Sequence, residues 1–154
     1  MLEPMKKLIY IFLFMAHGVS AFHIVGGEIE FITLQAGLYQ INVVQYFDEA
    51  QTSNPGPEGQ VTVYIYRNSD HELMSTHDLP FILQQQVQYS NVECAVEQLQ
   101  TSRVMWSANV NLDPLEYDDP EGYYVVWERC CRNENVVNII NPVGTGMTYI
   151  TDIP

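Results

Sequence analysis

Two adjacent cysteines are the residues of this sequence best suited to covalent chemistry. Cys130 and Cys131 lie between Arg129 and Arg132 at the end of an apolar run, and the third cysteine, Cys94, is distant in sequence. Because neighbouring residues on a strand point to opposite faces, alternation places Cys131 on the apolar face and Cys130 on the polar one. The two thiols should therefore have different surroundings.

All three cysteines are candidates for a disulfide, since structural cysteines pair in an oxidising compartment. The pairing that we favour joins Cys94 to Cys130 or to Cys131. It closes a loop of about 37 residues, worth roughly 3–4 kcal/mol on the chain-entropy model. A bridge between the adjacent Cys130 and Cys131 is the strained alternative. Because three is an odd number, one cysteine stays free, pairs with another chain, or has a partner outside this segment.

Carboxylates gather in one Pro-containing segment, where they could hold calcium through oxygen ligands. The residues are Asp113, Glu116, Asp118, Asp119 and Glu121. They lack the regular spacing of an EF-hand loop, so a solvated loop is the favoured interpretation and calcium the weaker one. Paired carboxylates for glycoside hydrolysis would require a separation that sequence alone cannot show. We therefore predict no catalytic residues and no cofactor besides this weak calcium candidate.

Histidines give a still weaker indication of metal binding. His71 and His77 are close enough in sequence to approach each other across a turn, and His23 lies near the expected mature N-terminus. Imidazole is a common metal ligand, but exposed polar histidines are more frequent. We predict no native metal site at these residues.

The N-terminus indicates export. Lys6 and Lys7 precede an apolar run over 8–16, and the small residues of 19–21 suit signal peptidase. The run is too short to span a membrane, so residues 1–21 are predicted to be a Sec-type signal peptide. The mature chain, from Phe22, would be secreted or lie on the outer cell surface, without stable membrane insertion.

The mature chain would be strongly acidic. It keeps four arginines, no lysine and 18 acidic residues, whereas the whole chain has a net charge of −13. Such a polyanion repels phosphate backbones, which argues against nucleic-acid binding, and anionic membrane surfaces are disfavoured for the same reason. Residues 22–154 are long enough for one domain with a real core.

Apolar and polar residues alternate in several short segments, which is the pattern of half-buried strands. The predicted strands are Gly27–Leu34 and Leu38–Phe47 as a hairpin, then Val61–Arg67, a weaker Glu72–His77, Arg103–Leu112, Gly122–Cys131 continuing toward Val136–Ile140, and Met147–Asp152. Residues 78–99 look mostly irregular, with a short strand near Phe81–Leu83 or Val87–Tyr89 and a short helix near Glu93–Leu99. About seven strands without alternating helices predict an all-β, antiparallel Ig-like or cadherin-like β-sandwich.

Two segments carry a resemblance to a known family. The start His23–Ile29, with Tyr39–Ile41 and Tyr46–Asp48, resembles the N-terminal module of gliding motility-associated, adhesin-like secreted proteins of Bacteroidota. The later run Trp127–Asn133, followed by Asn138 and Ile139, resembles the same module and is its most specific element. The resemblance implies export by the type IX secretion system and a chain that continues into further Ig-like or cadherin-like domains.

The sequence departs from that family at two places. Asp48 is followed by Glu49 where the family has a cysteine, so a family disulfide pairing does not transfer. The chain also stops at Pro154, where a next module would begin. It is therefore either the first module of a longer protein or a stand-alone version, and surface attachment through a C-terminal sorting domain is an open question.

These features together predict a non-catalytic, secreted or cell-surface module with a structural or adhesive role, linked to gliding motility or surface attachment. The expected partners are other surface proteins or glycans. The candidate contact residues are the aromatic side chains Tyr64, Tyr66, Tyr123 and Tyr124. Alternation along the strands places half of these four side chains in the core. The alternative is a carbohydrate-binding module or a fragment of a secreted hydrolase.

Overall fold

The described part of the protein is built from seven β-strands and one short 3-10 helix. The computed structural model describes residues 24–49, 56–89, 100–130, 132 and 136–153. Its elements are, in chain order, β1 (Ile24–Gln35), β2 (Leu38–Asp48), β3 (Gln60–Arg67), β4 (Leu73–Gln86), β5 (Thr101–Asn111), β6 (Tyr123–Arg129), a 3-10 helix (Pro142–Gly144) and β7 (Met147–Ile153). The β-branched and aromatic residues that fill these strands suit pleated, half-buried surfaces.

All strand pairs are antiparallel, in the spatial order β1-β2-β5-β4-β3-β6-β7. The strand β4 belongs to two ladders: Leu73–Pro80 pairs with β3, and Phe81–Gln86 pairs with β5. The sheet therefore folds at β4 into two layers. Layer A contains β1, β2, β5 and the second half of β4, and layer B contains the first half of β4 with β3, β6 and β7.

Pro80 marks the position where β4 changes partner. It is the last β4 residue paired with β3, opposite Gln60. The next amide, of Phe81, donates to the carbonyl oxygen of Gly59 at 2.9 Å. Proline has no amide hydrogen to give to a ladder, so a change of partner is a place where it fits within a strand.

The core lies between the two layers and follows the alternation of the strands. Buried side chains come from every strand, among them Ile29, Ile41, Val43, Phe47, Val61, Val63, Ile65, Leu79, Val104, Trp106, Val125, Trp127 and Met147. Trp106 is central: its ring lies 6.5 Å from that of Phe47, and its indole nitrogen donates to the carbonyl oxygen of Glu58 at 2.8 Å. This bond satisfies the one polar atom of a buried indole.

Layers A and B meet again where β1 approaches β7, which brings the sheet close to a barrel. A Cβ at Gly27 would lie 2.6 Å from Cε2 of Tyr149 and 2.5 Å from the carbonyl oxygen of Val44. The Tyr149 ring also stacks on Trp127, with centroids 5.0 Å apart. Burial raises the pKa of Tyr149 to about 12. The approach of the two strands thus depends on a residue without a side chain.

The structure confirms the predicted all-β, antiparallel sandwich and five of its strands closely. Two predictions were wrong. Residues 73–86 form one long strand, so the predicted strand Glu72–His77 and the predicted short strand near Phe81–Leu83 belong to one element, with no irregular chain between them. Residues 136–140 are turns and bends, with Val137 97% exposed and Ile140 96% exposed, so β6 does not continue into them. The predicted helix near Glu93–Leu99 lies outside the described residues.

Candidate functional site

Three of the four candidate tyrosines share the outer face of layer B. Tyr64 and Tyr66 alternate with buried residues of β3, and Tyr124 lies opposite Tyr66 on β6. The rings of Tyr66 and Tyr124 stack with centroids 5.5 Å apart and planes 20° apart. Tyr123 is only 5% exposed and belongs to the core. It is therefore not a contact residue of the surface, and one of the four tyrosines is in the core rather than half.

Exposed aliphatic side chains extend the aromatic surface on both sides. Leu73 pairs with Tyr66 and is 48% exposed, and Ile150 on β7 is 62% exposed. Val126 joins the two ends, since it pairs with both Tyr64 and Ile150. We call these residues the tyrosine face: Tyr64, Tyr66, Leu73, Tyr124, Val126 and Ile150. Adjacent apolar residues on a solvent-facing sheet are a recognised sign of an interaction surface.

The turn between β3 and β4 holds one end of the tyrosine face in place. Nδ1 of His71 lies 3.0 Å from the Tyr124 hydroxyl, and the two rings meet edge to face. His71 has a φ of 59°, a left-handed conformation, and its amide donates to the carbonyl oxygen of Arg67. The Arg67 guanidinium bridges Asp70 and Glu72. The position of the Tyr124 hydroxyl is thereby coupled to this turn.

Acidic residues surround the tyrosine face. Asp152 lies opposite Tyr124 on β7, and Glu128 and Asp78 are exposed on neighbouring positions of β6 and β4. The Asp78 carboxylate accepts a hydrogen bond from the Thr62 hydroxyl at 2.6 Å. The surface is thus apolar and aromatic in its centre and negatively charged around it.

The acidic loop 113–121 uses its carboxylates to stabilise its own turns. Asp113 accepts from the amide of Leu115 at 2.9 Å. Asp119 accepts from the Ser69 hydroxyl at 2.6 Å and from the amide of Glu121 at 2.8 Å. The Ser69 hydroxyl, and then the Glu121 amide, lower the pKa of Asp119. These bonds occupy oxygens that a calcium ion would need.

The structure does not bring the calcium candidates together into an ion site. Within the described ranges, no group of three or more His, Cys, Asp or Glu side chains could hold a metal ion. The two described histidines have separate partners, since His71 contacts Tyr124 while Nε2 of His77 lies 2.9 Å from the Ser75 hydroxyl. Burial lowers the pKa of His77. His23 lies outside the described residues.

A cleft of about 300 Å³ opens at one end of the sandwich. It is lined by Tyr39, Leu112, Pro114, Tyr117, Asp119, Gly122, Tyr123 and Ile153. Two of its three phenols make hydrogen bonds within the protein: Tyr117 donates to Ser75 at 2.7 Å, and Tyr123 accepts from the amide of Asp119 at 3.0 Å. Burial raises the pKa of Tyr117. The cleft was not predicted, because its lining comes from segments far apart in sequence.

Only one of the three cysteines belongs to the described part of the chain. Cys130 is exposed, as alternation predicted. Its sulfur lies 4.0 Å from the carbonyl oxygen of Val143. Cys94 and Cys131 lie outside the described residues, so the pairing of the cysteines and the inward orientation of Cys131 stay predictions.

The predicted signal peptide, residues 1–21, also lies outside the described residues. Among the residues that are described, no helix is long and apolar enough to cross a membrane.

Comparison with known proteins gives no match for this chain: no family model, no curated protein and no solved structure is significantly similar to it.

Proposed function

We propose that this chain is a non-catalytic, secreted or cell-surface module with an adhesive role, and that it contacts another surface protein through the tyrosine face. The observation that carries the proposal is the stacked pair Tyr66 and Tyr124, continued by Tyr64 and by exposed aliphatic side chains on the outer face of layer B. Tyrosine offers a large contact area at a low cost in side-chain entropy. Protein interfaces concentrate their binding energy in such residues.

The charge around the tyrosine face indicates the chemistry of the partner. Asp78, Glu128 and Asp152 surround it, and the whole chain has a net charge of −13. A partner whose apolar centre is surrounded by basic residues would associate with this surface faster than an uncharged partner would. The acidic residues would also repel partners with acidic surfaces. Adhesion should therefore weaken as the salt concentration rises, because screening shortens the range of these charges.

The link to gliding motility and type IX export is part of the proposal and is supported by sequence resemblance alone. The residues that support it are His23–Ile29, Tyr39–Ile41, Tyr46–Asp48 and the run Trp127–Asn133. Export itself is tested by N-terminal sequencing of protein recovered from the culture medium or the cell surface. A mature chain beginning at Phe22 is expected, and a chain that keeps Met1 inside the cell would contradict it.

The adhesion experiment uses beads coated with the mature chain and cells of the producing organism, with attachment counted by flow cytometry. The double variant Leu73→Ser, Ile150→Ser removes the exposed aliphatic residues of the tyrosine face. We expect its attachment to fall about fivefold or more, in line with the loss of two apolar contacts of the tyrosine face. The matched control is Ile32→Ser, Leu34→Ser, which removes two exposed aliphatic residues of β1 on layer A. It should attach as the unchanged chain does.

Treatment of the cells distinguishes the proposed protein partner from the carbohydrate alternative. Protease treatment should abolish attachment, whereas periodate oxidation of glycans should leave it intact. The opposite result would favour a carbohydrate-binding module. Equal attachment of the two double variants, or none by the unchanged chain, would overturn the role of the tyrosine face. A hydrolase fragment would show turnover that is lost when a carboxylate such as Asp119 is changed.

A further inference from the structure

Arg103 has no acidic partner among the described residues, whereas Arg67 and Arg129 each have one or more. Arg67 pairs with Asp70 and Glu72, and Arg129 pairs with Glu58 at 2.9 Å. Arg132 donates to the carbonyl oxygen of Gly146 at 2.9 Å. Among the described residues, the only hydrogen-bond partner of the Arg103 guanidinium is the sulfur of Met105, at 3.9 and 4.0 Å. In a chain so rich in carboxylates, an unpaired guanidinium is an unexpected feature.

The strand register places Arg103 in the middle of a row of three side chains on the outer face of layer A. Tyr46 lies opposite it on β2, and Gln85 lies opposite it on β4. Strand β5 lies between β2 and β4, and its backbone pairs with both of them. Recognition at this position therefore depends on the side chains.

These side chains border an open cavity of about 310 Å³. Its lining consists of Tyr46, Gln85, Gln86, Val87, Gln88 and Arg103. None of these residues is acidic, although 18 acidic residues lie between Phe22 and Pro154. The cavity thus combines one partly buried cation, three amide groups and one aromatic ring. We call it the Arg103 cleft.

We infer that the Arg103 cleft binds a sugar that carries a carboxylate, such as a hexuronic acid within a polysaccharide. The guanidinium has the planar geometry that binds a carboxylate through two parallel hydrogen bonds. Glutamine amides both donate and accept, as sugar hydroxyls do. The Tyr46 ring offers an apolar surface to the C–H face of a pyranose.

A uronic acid fits the cleft better than an acidic peptide does. One cation serves one carboxylate, and the three amides serve neutral polar groups around it. A peptide segment of adjacent carboxylates would offer the three amides no hydroxyl groups beside its charge. Uronic acid polymers carry one carboxylate per ring among hydroxyl groups. The site lies on the opposite layer from the tyrosine face, so it is independent of the function proposed above.

The test is isothermal titration calorimetry of the full mature chain with oligogalacturonate, and with the same oligosaccharide after its carboxyl groups have been reduced to alcohols. We expect saturable binding of the oligogalacturonate and binding about tenfold weaker or more for the reduced sugar, since the charged hydrogen bonds are lost. Arg103→Gln should weaken binding of the acidic sugar to a similar extent. Arg103→Lys should restore it in part, because lysine keeps the charge but not the fork geometry.

The matched control is Arg67→Gln, which removes the same charge from layer B. Its affinity should stay within about twofold of the unchanged chain, since its ion pairs are exposed and distant from the cleft. Several results would overturn the inference: no binding at millimolar sugar, equal binding of acidic and reduced sugars, or equal losses for Arg103→Gln and Arg67→Gln. Displacement of the sugar by a poly-glutamate peptide at equal concentration would contradict the choice of a sugar over a peptide. Circular dichroism of each variant checks that the fold is retained.

Discussion

The ring of Tyr149 occupies the space that a side chain at Gly27 would need, where strands β1 and β7 approach each other. The contact joins the two outermost strands of the sheet order. It also explains why a glycine lies within a strand, a position where its backbone entropy is a disadvantage.

Replacing Gly27 by alanine should therefore destabilise the protein. The new Cβ would meet a backbone oxygen of Val44 as well as the Tyr149 ring, and the backbone cannot move aside cheaply. We expect the free energy of unfolding to fall by about 1–3 kcal/mol, the usual cost of overpacking. The measurement is urea denaturation followed by tryptophan fluorescence.

Gly26→Ala is the control for this substitution, because no atom lies within 4 Å of its added Cβ. It should change the free energy of unfolding by about 0.5 kcal/mol or less. A similar loss for both variants would mean that the contact between Gly27 and Tyr149 is not the cause.

The buried amide of Gln45 should be a source of instability. Its side chain is fully buried, and neither Nε2 nor Oε1 has a hydrogen-bond partner. A buried polar group without a partner costs roughly 1–3 kcal/mol. Gln45→Met keeps the length of the side chain and removes both polar atoms, so it should raise the free energy of unfolding by about 1–2 kcal/mol.

Gln40→Met is the corresponding control on the same strand. Nε2 of Gln40 donates to the Ser107 hydroxyl at 3.1 Å, so this variant loses a hydrogen bond and should gain no stability. A loss of stability in Gln45→Met would show that the amide is satisfied in solution, for example by an internal water molecule.

Stability should fall as the pH drops from about 7 to 5, in part because of His77. Burial lowers the pKa of His77 in the folded chain below the ordinary value of 6.5. Above pH 6.5 the imidazole is neutral in both states. Below it the unfolded chain binds the proton first, so the stability that His77 contributes is lost as the pH falls through this range.

His77→Gln should make the stability depend less steeply on pH over this interval, as measured by urea denaturation at several pH values. His71→Asn serves as the control, since it removes an exposed histidine and asparagine tolerates the left-handed backbone at that position. It should retain the slope of the unchanged chain. Equal slopes for the His77→Gln variant and the unchanged chain would contradict the prediction.

The hairpin of β1 and β2 could be predicted because the residues that define it are close together in sequence. Alternating residues on either side of the Ala36–Gly37 turn define both strands and their inner faces. Strand β4 could not be predicted in full, because it pairs with β3 over one half and with β5 over the other. Its glutamines, 84–86, are exposed, so no buried face marks them as a strand.

The sites show the same division between local and long-range information. Alternation assigned Tyr123 and Tyr124 to opposite faces, and the structure then showed which of them faces the core. The Arg103 cleft could not be predicted, since Tyr46, Gln85 and Arg103 meet only through the register of three strands. The exposed run 136–140 misled the prediction because apolar residues at a surface look like those of a strand.

The division of β4 between the two layers affects how the fold opens. Here each layer contains half of the same strand, so opening either layer removes a neighbour from the other. The amides of β4 should then exchange their hydrogens only by global unfolding. The residues before and after Pro80 should not form separate cooperative unfolding units in native-state hydrogen exchange.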